Sequence, residues 1–312
     1  MFSFLVRKVI HGSLMLIVVS AIAFALLSSV GGDALSALRE NPQVSEETIE
    51  RLRVVYGLDE PVVTRYLRWV RGIFHRDFGE SFVYRTEVSG IIFSRLISTS
   101  ILAIVALAIA VIISGVLAFA YARTKSKFLE GIIDIVVILT ASAPRLVLSL
   151  LALAISVSLA GSAAAIRDGS MLALLLAGFV LSVPLIAVFL SQLHTALKHA
   201  MKEPFVQYAR AKGLGENTII LKHATRAAID PFLAMLGLSF GALIGGSVIV
   251  ESVLGWPGLG ALTVSAVRTR DVPLVMGIVV VSSAAVWLGN SLAEFLQLIN
   301  DSRMRKSGGS GY

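Results

Sequence analysis

The chain has no cysteine. That removes disulfides, thiolate metal sites and cysteine nucleophiles from consideration. Charge is scarce as well: 15% of the residues are charged, where a soluble domain carries roughly 25%. No G-x-x-x-x-G-K-[ST] phosphate loop occurs, so the chain is not expected to hydrolyse ATP itself. "GGS" and "GLG" are too short to cradle a phosphate. There is no HExxH; His194 and His199 are five apart, so zinc-protease chemistry is excluded. Neither a metal nor a cofactor is expected. No internal repeat stands out, and the tail "SGGSGY" is the one low-complexity tract.

What the chain has instead is apolar length. Hydrophobic residues make up 56% of it, and the mean hydropathy is +0.85. Apolar runs of about 20 residues, enough to cross roughly 30 Å of hydrocarbon as helix, recur along it. The 26 glycines and 8 prolines do not oppose this, because membrane helices tolerate both. The pattern predicts an all-α integral membrane protein with six transmembrane helices at 9–30, 97–122, 129–160, 170–193, 229–253 and 273–299. Pro144 is expected to kink the long third span near its middle. Arg7 and Lys8 precede the first run, as in a signal peptide. The length of that run and the weak cleavage site in "SSVGGDAL" favour a retained span.

The expected organisation is a first span over 1–30, a soluble insert over 31–93, a five-span core over 94–300 and a tail over 301–312. A basic loop at 196–228 lies inside the core. In the insert, Glu46, Glu47, Glu50, Arg51 and Arg53 make a charged helical face. Val63, Tyr66, Leu67 and Val70 recur at helical spacing before a glycine-containing turn. The insert therefore reads as a small folded subdomain.

Net charge is +7, and its distribution sets an orientation. All eight lysines (Lys8, Lys125, Lys127, Lys198, Lys202, Lys212, Lys222 and Lys306) fall on one side if both termini are cytoplasmic. The segment 194–228 carries six Lys/Arg against two acids, whereas the insert has eight Arg against ten acids. Such a bias in short loops orients a membrane protein. An N-in, C-in arrangement follows, with the insert outside.

The basic loop holds "EPFVQYARAKGLGENTIILKHATRAAIDP", Glu203 to Pro231. Glu203-Pro204 is a helix-start signal. Phe205, Tyr208, Ala209 and Lys212 recur at i, i+3, i+4 and i+7 and are expected to share a face. Gly213 is placed to end the helix in a left-handed cap, with Leu214 behind it. Asn217 is expected to cap a second helix over 218–229. Two readings of the loop stand. It lies on anionic lipid as a basic amphipathic segment, or it docks a cytoplasmic partner.

"YARAKGL", followed by His223 and Pro231, resembles the cytoplasmic signature loop of ABC-importer permeases. It is most similar to the dipeptide/oligopeptide/nickel family. Ala209, Arg210, Ala211, Lys212, Gly213, Leu214, His223 and Pro231 match that pattern. Gly245, Gly246, Glu251, Pro257 to Gly260, Asp271 and Pro273 resemble the family's later series. "YGLDEPVVTRYLRWV" and "DFGESF" are similar to its outer insert, and "NDSRMR" to its ending. The chain departs from the family at Ala34, Asp230 and Ser302, and at Arg145, where an aromatic residue is common. The resemblance implies a prokaryotic inner-membrane permease that pairs with a second, homologous permease as a heterodimer. Two cytoplasmic ATPase subunits and an extracytoplasmic binding protein would serve it. It further implies that the 203–217 helix, with Phe205 and Tyr208 entering an ATPase groove and Arg210 and Lys212 at its rim, couples hydrolysis to transport. Pro257, Gly258 and Gly260 are expected to form a structural turn. The cargo class implied is peptides, nickel chelates or oligosaccharides.

Arg145, near the middle of the third span, is the most conspicuous charge, since a charge there is costly and faces a cavity or a partner. Either it binds an anionic group in the translocation path, or it pairs with Asp134 or Glu251. Glu251 and Glu294 lie close to span ends, where pairing suffices. Gly245 and Gly246 are expected to permit close helix packing. An ion-coupled secondary carrier is the alternative function. It calls for two homologous halves and broken spans with buried acids, neither of which the sequence displays. The absence of cysteine supplies a direct test of orientation. Arg53→Cys is expected to react with an impermeant maleimide from outside intact cells, and Lys212→Cys only after the cells are opened. The reverse pattern inverts the topology.

Overall fold

A computed structural model of the chain describes residues 2–29, 45–55, 59–75, 77–124, 126–160 and 170–300. Ala34 and the tail 301–312, including Ser302 and "SGGSGY", lie outside the described residues. All regular structure in the described residues is helical, apart from one isolated bridge between Glu80 and Glu87. In chain order the helices are α1 (Phe2–Ser29), α2 (Glu46–Val55), α3 (Val62–Phe74), α4 (Val88–Thr124), α5 (Lys127–Ser142) and α6 (Arg145–Ala160). Then come α7 (Met171–Ala200), α8 (Pro204–Ala211), α9 (Thr225–Gly246), α10 (Val248–Leu254), α11 (Leu259–Arg268) and α12 (Val272–Asn300).

Among the described residues, four helices are long and apolar enough to cross a membrane: those over 6–29, 88–124, 171–200 and 272–295. Two further apolar stretches are bent pairs, α5 with α6 at 94° and the end of α9 with α10 at 51°. Counting each pair as one span gives six. Ile10, Leu14 and Leu26 of α1, and Ile104, Ile112 and Val116 of α4, are exposed. Bare apolar rows of this length suit lipid and not water.

The break between α5 and α6 is sharper than the expected kink. Pro144 has no N–H to donate and drives the residue before it out of the helical region. Ala143 is accordingly extended, at φ −76° and ψ 113°. Pro184, by contrast, lies within α7 without ending it. The bend at Ser247 has no proline and was not expected. The apolar run expected to open at 97 is the later part of a helix that already begins at Val88, inside the stretch assigned to the insert.

The chain divides into two compact units. The first comprises 1–99 and 257–287. In it α3 lies on α1: the Tyr66 hydroxyl pairs with Ser20 Oγ at 2.9 Å and donates to the Ile17 carbonyl at 3.2 Å. The Phe24 and Tyr66 rings sit 5.5 Å apart. Val88, Ile92, Leu262 and Leu274 form the centre of its core. Thr99 Oγ1 accepts the N–H of Leu259 at 2.8 Å and so closes the start of α11.

A buried carboxylate organises the same unit. Asp271 is fully enclosed. Its Oδ2 accepts from Ser81 Oγ at 2.5 Å and from the Val83 N–H at 3.2 Å, and its Oδ1 accepts from the Leu274 N–H at 3.3 Å. One side chain thus caps α12 and ties down the 79–87 turn, which needs left-handed backbone at Gly79 and Arg85.

The second unit comprises 100–256 and 288–312. Leu102, Ala106, Leu181, Phe189, Leu243 and Leu254 lie in one of its cores. The Phe189 and Phe232 rings meet edge to face at 5.2 Å. A second core gathers Tyr121, Ile133, Leu197, Ile219, Ile220 and Ala224. Helices α9 and α12 approach through small residues. A Cβ on Gly237 would lie 2.0 Å from the Ala293 Cβ, the close contact that small residues permit between membrane helices.

Removing the Asp271 carboxylate would take the acceptor from the buried Ser81 O–H. Each buried, unpaired group costs about 1–3 kcal/mol. Asp271→Ala is expected to lower the thermal unfolding midpoint of the detergent-solubilised chain by at least about 1.5 °C, the shift that 1 kcal/mol gives at roughly 2.1 cal/mol/K of unfolding entropy per residue in a chain of 312 residues. An unchanged midpoint would remove the carboxylate from this structural role.

Candidate functional site

Helix α8 is built as its sequence suggests at the start. Glu203 flanks it in extended conformation at φ −67° and ψ 148°, and Pro204 fills the first turn, where an N–H would have no partner. It is shorter than the expected 203–217 segment because Gly213 stops it. The Leu214 N–H donates to the Ala209 carbonyl at 3.3 Å, and the Gly213 N–H donates to the Arg210 carbonyl at 2.9 Å. With φ +75° at Gly213, this is the Schellman closure.

The faces of α8 differ from the expectation. Val206 and Ala209 are buried and pack into the core that contains Tyr121, Leu197 and Ile220. Tyr208 is 73% exposed and Phe205 39%. Ala209 therefore anchors the helix, while Phe205, Tyr208, Ala211 and Lys212 remain accessible. Val206 was missed because the aromatic pair dominates the apolar pattern. Arg210 is engaged across the corner, where its Nε donates to Glu216 Oε1 at 2.7 Å and its Nη2 to Oε2 at 3.3 Å. Leu214 is exposed just past the turn.

The second helix does not start at Asn217. A single turn over Glu216–Thr218 follows Gly215, and a π-helical stretch over Ile219–Ala224 leads into α9. The wider turn buries Ile219, Ile220 and Ala224 together. Thr225 Oγ1 donates to the Ile220 carbonyl at 2.8 Å, which helps satisfy that turn. Helix α9 then continues through Pro231, which was expected to open the span. Beside this loop, Lys198 Nζ donates to Glu130 Oε1 at 2.6 Å, linking α7 to α5.

Arg145 stands at the first residue of α6, directly after the break. Its Nη1 donates to the Gly246 carbonyl at 3.2 Å, rather than pairing with Asp134 or Glu251. Gly246 ends α9 at the other bend. A Cβ there would lie 2.9 Å from Arg145 Nη1, whereas one on Gly245 would meet nothing within 4 Å. Gly246, and not Gly245, thus makes room for the guanidinium. Fully buried Glu251 accepts from Ser247 Oγ at 2.8 Å. The expected turn over Pro257, Gly258 and Gly260 begins earlier. Gly255 takes the left-handed position at φ 70°, Gly258 flanks α11 in extended conformation and Gly260 is buried inside that helix. Gly255 carries the conformational demand, and the sequence reading passed over it.

A chain with several apolar helices and a structured basic loop can be placed by comparison. Residues 110–306 match the family described as binding-protein-dependent transport system inner membrane component, and residues 1–105 match the N-terminal region of such membrane components. The chain belongs to this family of multi-pass inner-membrane permeases of ABC importers. It is 30% identical to the oligopeptide transport system permease protein of Bacillus subtilis (strain 168), over 97% of this chain and 99% of that one. It is also 30% identical to a chain of Brucella suis biovar 1 (strain 1330) whose name as a peptide permease is provisional, over 98% and 99% of the two. With the glutathione transport system permease protein of Shigella boydii serotype 4 (strain Sb227) it shares 28% identity over 95% and 96%.

The Arg145–Gly246 bond yields a double-mutant test. Arg145→Ala and Gly246→Ala each disrupt the same contact. Each is expected to lower the unfolding midpoint in detergent, and the double variant should fall no lower than the worse single one, because contacting residues are non-additive. Fully additive losses would show that the two bends are not joined by this bond.

Proposed function

We propose that the chain forms half of a transmembrane pathway for small peptides, with a second, homologous permease supplying the other half. The relatives' names support the cargo class: oligopeptide transport for one, and glutathione, itself a small peptide, for another. Oligosaccharides and nickel chelates are the less supported cargoes. Six spans in an N-in, C-in arrangement, with the insert facing the extracytoplasmic binding protein, fit the lysine distribution and the two bent helix pairs. Arg145 would offer its remaining donors to an anionic group of the cargo.

Two cytoplasmic ATPase subunits would drive the cycle through α8. The observation that carries this reading is the two-sided construction of that helix. Val206 and Ala209 fix one side to the core of the second unit, while Phe205 and Tyr208 are left bare on the other. A push on the bare side is delivered to α4, α5 and α7, whose residues share that core. The ion-coupled carrier draws some support from the two bent pairs and from buried Glu251, but family membership weighs against it.

Gly213→Val tests the coupling assignment. A β-branched residue at φ +75° is strained, while the site itself is open, since an added Cβ meets nothing within 4 Å. The variant is expected to insert normally and to lose either its ATPase partners or the stimulation of ATPase activity by substrate. Co-purification and ATPase assays in liposomes measure both. Wild-type assembly with wild-type stimulation would return the loop to a lipid-surface role.

A further inference from the structure

A groove of about 790 Å³ runs between α4, α7 and α9 within the second unit. Its walls are almost wholly apolar, with Val111, Phe119, Leu193 and Phe232 among them, and its polar residues, Arg123, Thr124 and Thr225, gather at one end. On α4 the lining runs from Val111 to Arg123, roughly 18 Å at 1.5 Å per residue. That is close to one leaflet of a hydrocarbon core of about 30 Å.

We infer that this groove binds one acyl chain of an anionic phospholipid, with the phosphate at Arg123. Three observations select this occupant. First, the lining on α4 extends roughly 18 Å along one helix, a length that matches an acyl chain within one leaflet. A slot of that length, open along one side, suits a single acyl chain. Second, a peptide would bring backbone amides and carbonyls into walls that offer them almost no partners, at a cost of several kcal/mol each. Third, the charge is complementary at one end only. The Thr124 hydroxyl donates to the Ala120 carbonyl at 3.0 Å and the Thr225 hydroxyl to the Ile220 carbonyl. Arg123 makes no such bond within the described residues and is exposed at the mouth. Exposed Lys222 and Arg226 stand next in sequence to the lining residues Leu221 and Thr225 and add positive charge at that end. The C-terminus of α4 opposes an anion with about half a charge, which the full charge of Arg123 outweighs. Basic pockets between membrane helices take phospholipid headgroups on the cytoplasmic side. Only the assignment to the inner leaflet rests on the proposed orientation; the groove and its charged mouth do not.

The test uses the full-length chain, purified from membranes with its co-assembling subunits and stripped of loosely held lipid. Phosphatidylglycerol or phosphatidylcholine with identical acyl chains is titrated in, and native mass spectrometry counts the bound molecules. The wild-type protein is expected to prefer phosphatidylglycerol about fivefold, the effect of one basic residue near an anionic surface. Arg123→Gln should remove the preference while both lipids still bind, and Arg123→Lys should retain it. An added Cβ on Gly115 meets nothing within 4 Å, so the ring of Gly115→Phe should occupy the groove and reduce retention of both lipids. Equal retention of the two lipids by the wild type overturns the inference, as does a preference that survives Arg123→Gln. Gly115→Cys, unique in this cysteine-free chain, reads the groove even if the aromatic variant assembles poorly. Its cross-linking to another subunit would show that protein fills the groove. Leaflet sidedness is read separately from the reactivity of Lys212→Cys, so a wrong topology and a wrong ligand give different results.

Discussion

A break between apolar helices leaves backbone groups without their intrahelical partners, and those groups have to be satisfied from elsewhere in the chain. Here two breaks close each other. Pro144 ends α5, and α6 restarts at Arg145, whose guanidinium reaches the Gly246 carbonyl at the end of α9. Ser149 Oγ takes up the Arg145 carbonyl at 2.7 Å. Ser247, at the second break, donates to Glu251 one turn on in α10. The direction of α6 and α10, and therefore the way Ala152, Val250 and Leu254 enter a common core, depends on this closure. Replacing Arg145 with phenylalanine would keep the bulk and lose the donor.

How much of this was legible depended on where the cause lies in the sequence. Pro144 is a local cause, and the bend was visible. Its extent was not, because the donor that tolerates a full break lies 101 residues from its acceptor. The bend at Ser247 gave no sign beyond two glycines, which read equally well as a packing motif. Gly213 was legible for the opposite reason: a helix start, an apolar face and a glycine at the right distance all lie within a dozen residues. Val206 was hidden by larger neighbours. The π-helical turn left a faint trace, since Ile219 and Ala224 are five apart, a spacing that an α-helix would splay and a π turn aligns. In the first unit, Asp271 was visible as part of a motif, but its partner Ser81 lies 190 residues away.

The described residues between α1 and α4 show the same division. The helix over Val62–Phe74 follows from spacing alone. Its seat on α1 does not, because the hydroxyl pair of Tyr66 and Ser20 spans 46 residues. Both helices carry their small or aromatic contacts on the side that sequence periodicity alone leaves undecided. Where a charged helix face was expected, Arg51 pairs with Glu47 within one turn. That pair is largely exposed, at 75% and 76% of the two side chains, and exposed i, i+4 pairs contribute only a few tenths of a kcal/mol. This region is therefore held by aromatic packing and the Asp271 staple and not by its many charges.

The corner after α8 raises a similar choice between forces. Two features span it: the Schellman closure at Gly213, and the ion pair of Arg210 with Glu216. The ion pair is partly exposed at both partners, and such pairs contribute about 0–1 kcal/mol. The closure satisfies two carbonyls that would otherwise be orphaned and fixes a backbone conformation that only glycine adopts without strain. Rigidity at the corner thus comes from the backbone, and the ion pair is free to be exchanged. In the proposed coupling role, an acidic group on an ATPase subunit would draw Arg210 away from Glu216 at little cost while the corner keeps its angle. A loop that stays rigid as its surface charges change partners is what a mechanical coupling element requires. A segment merely lying on lipid has no use for it, since any angle that keeps Phe205 and Tyr208 in the interface would serve equally well.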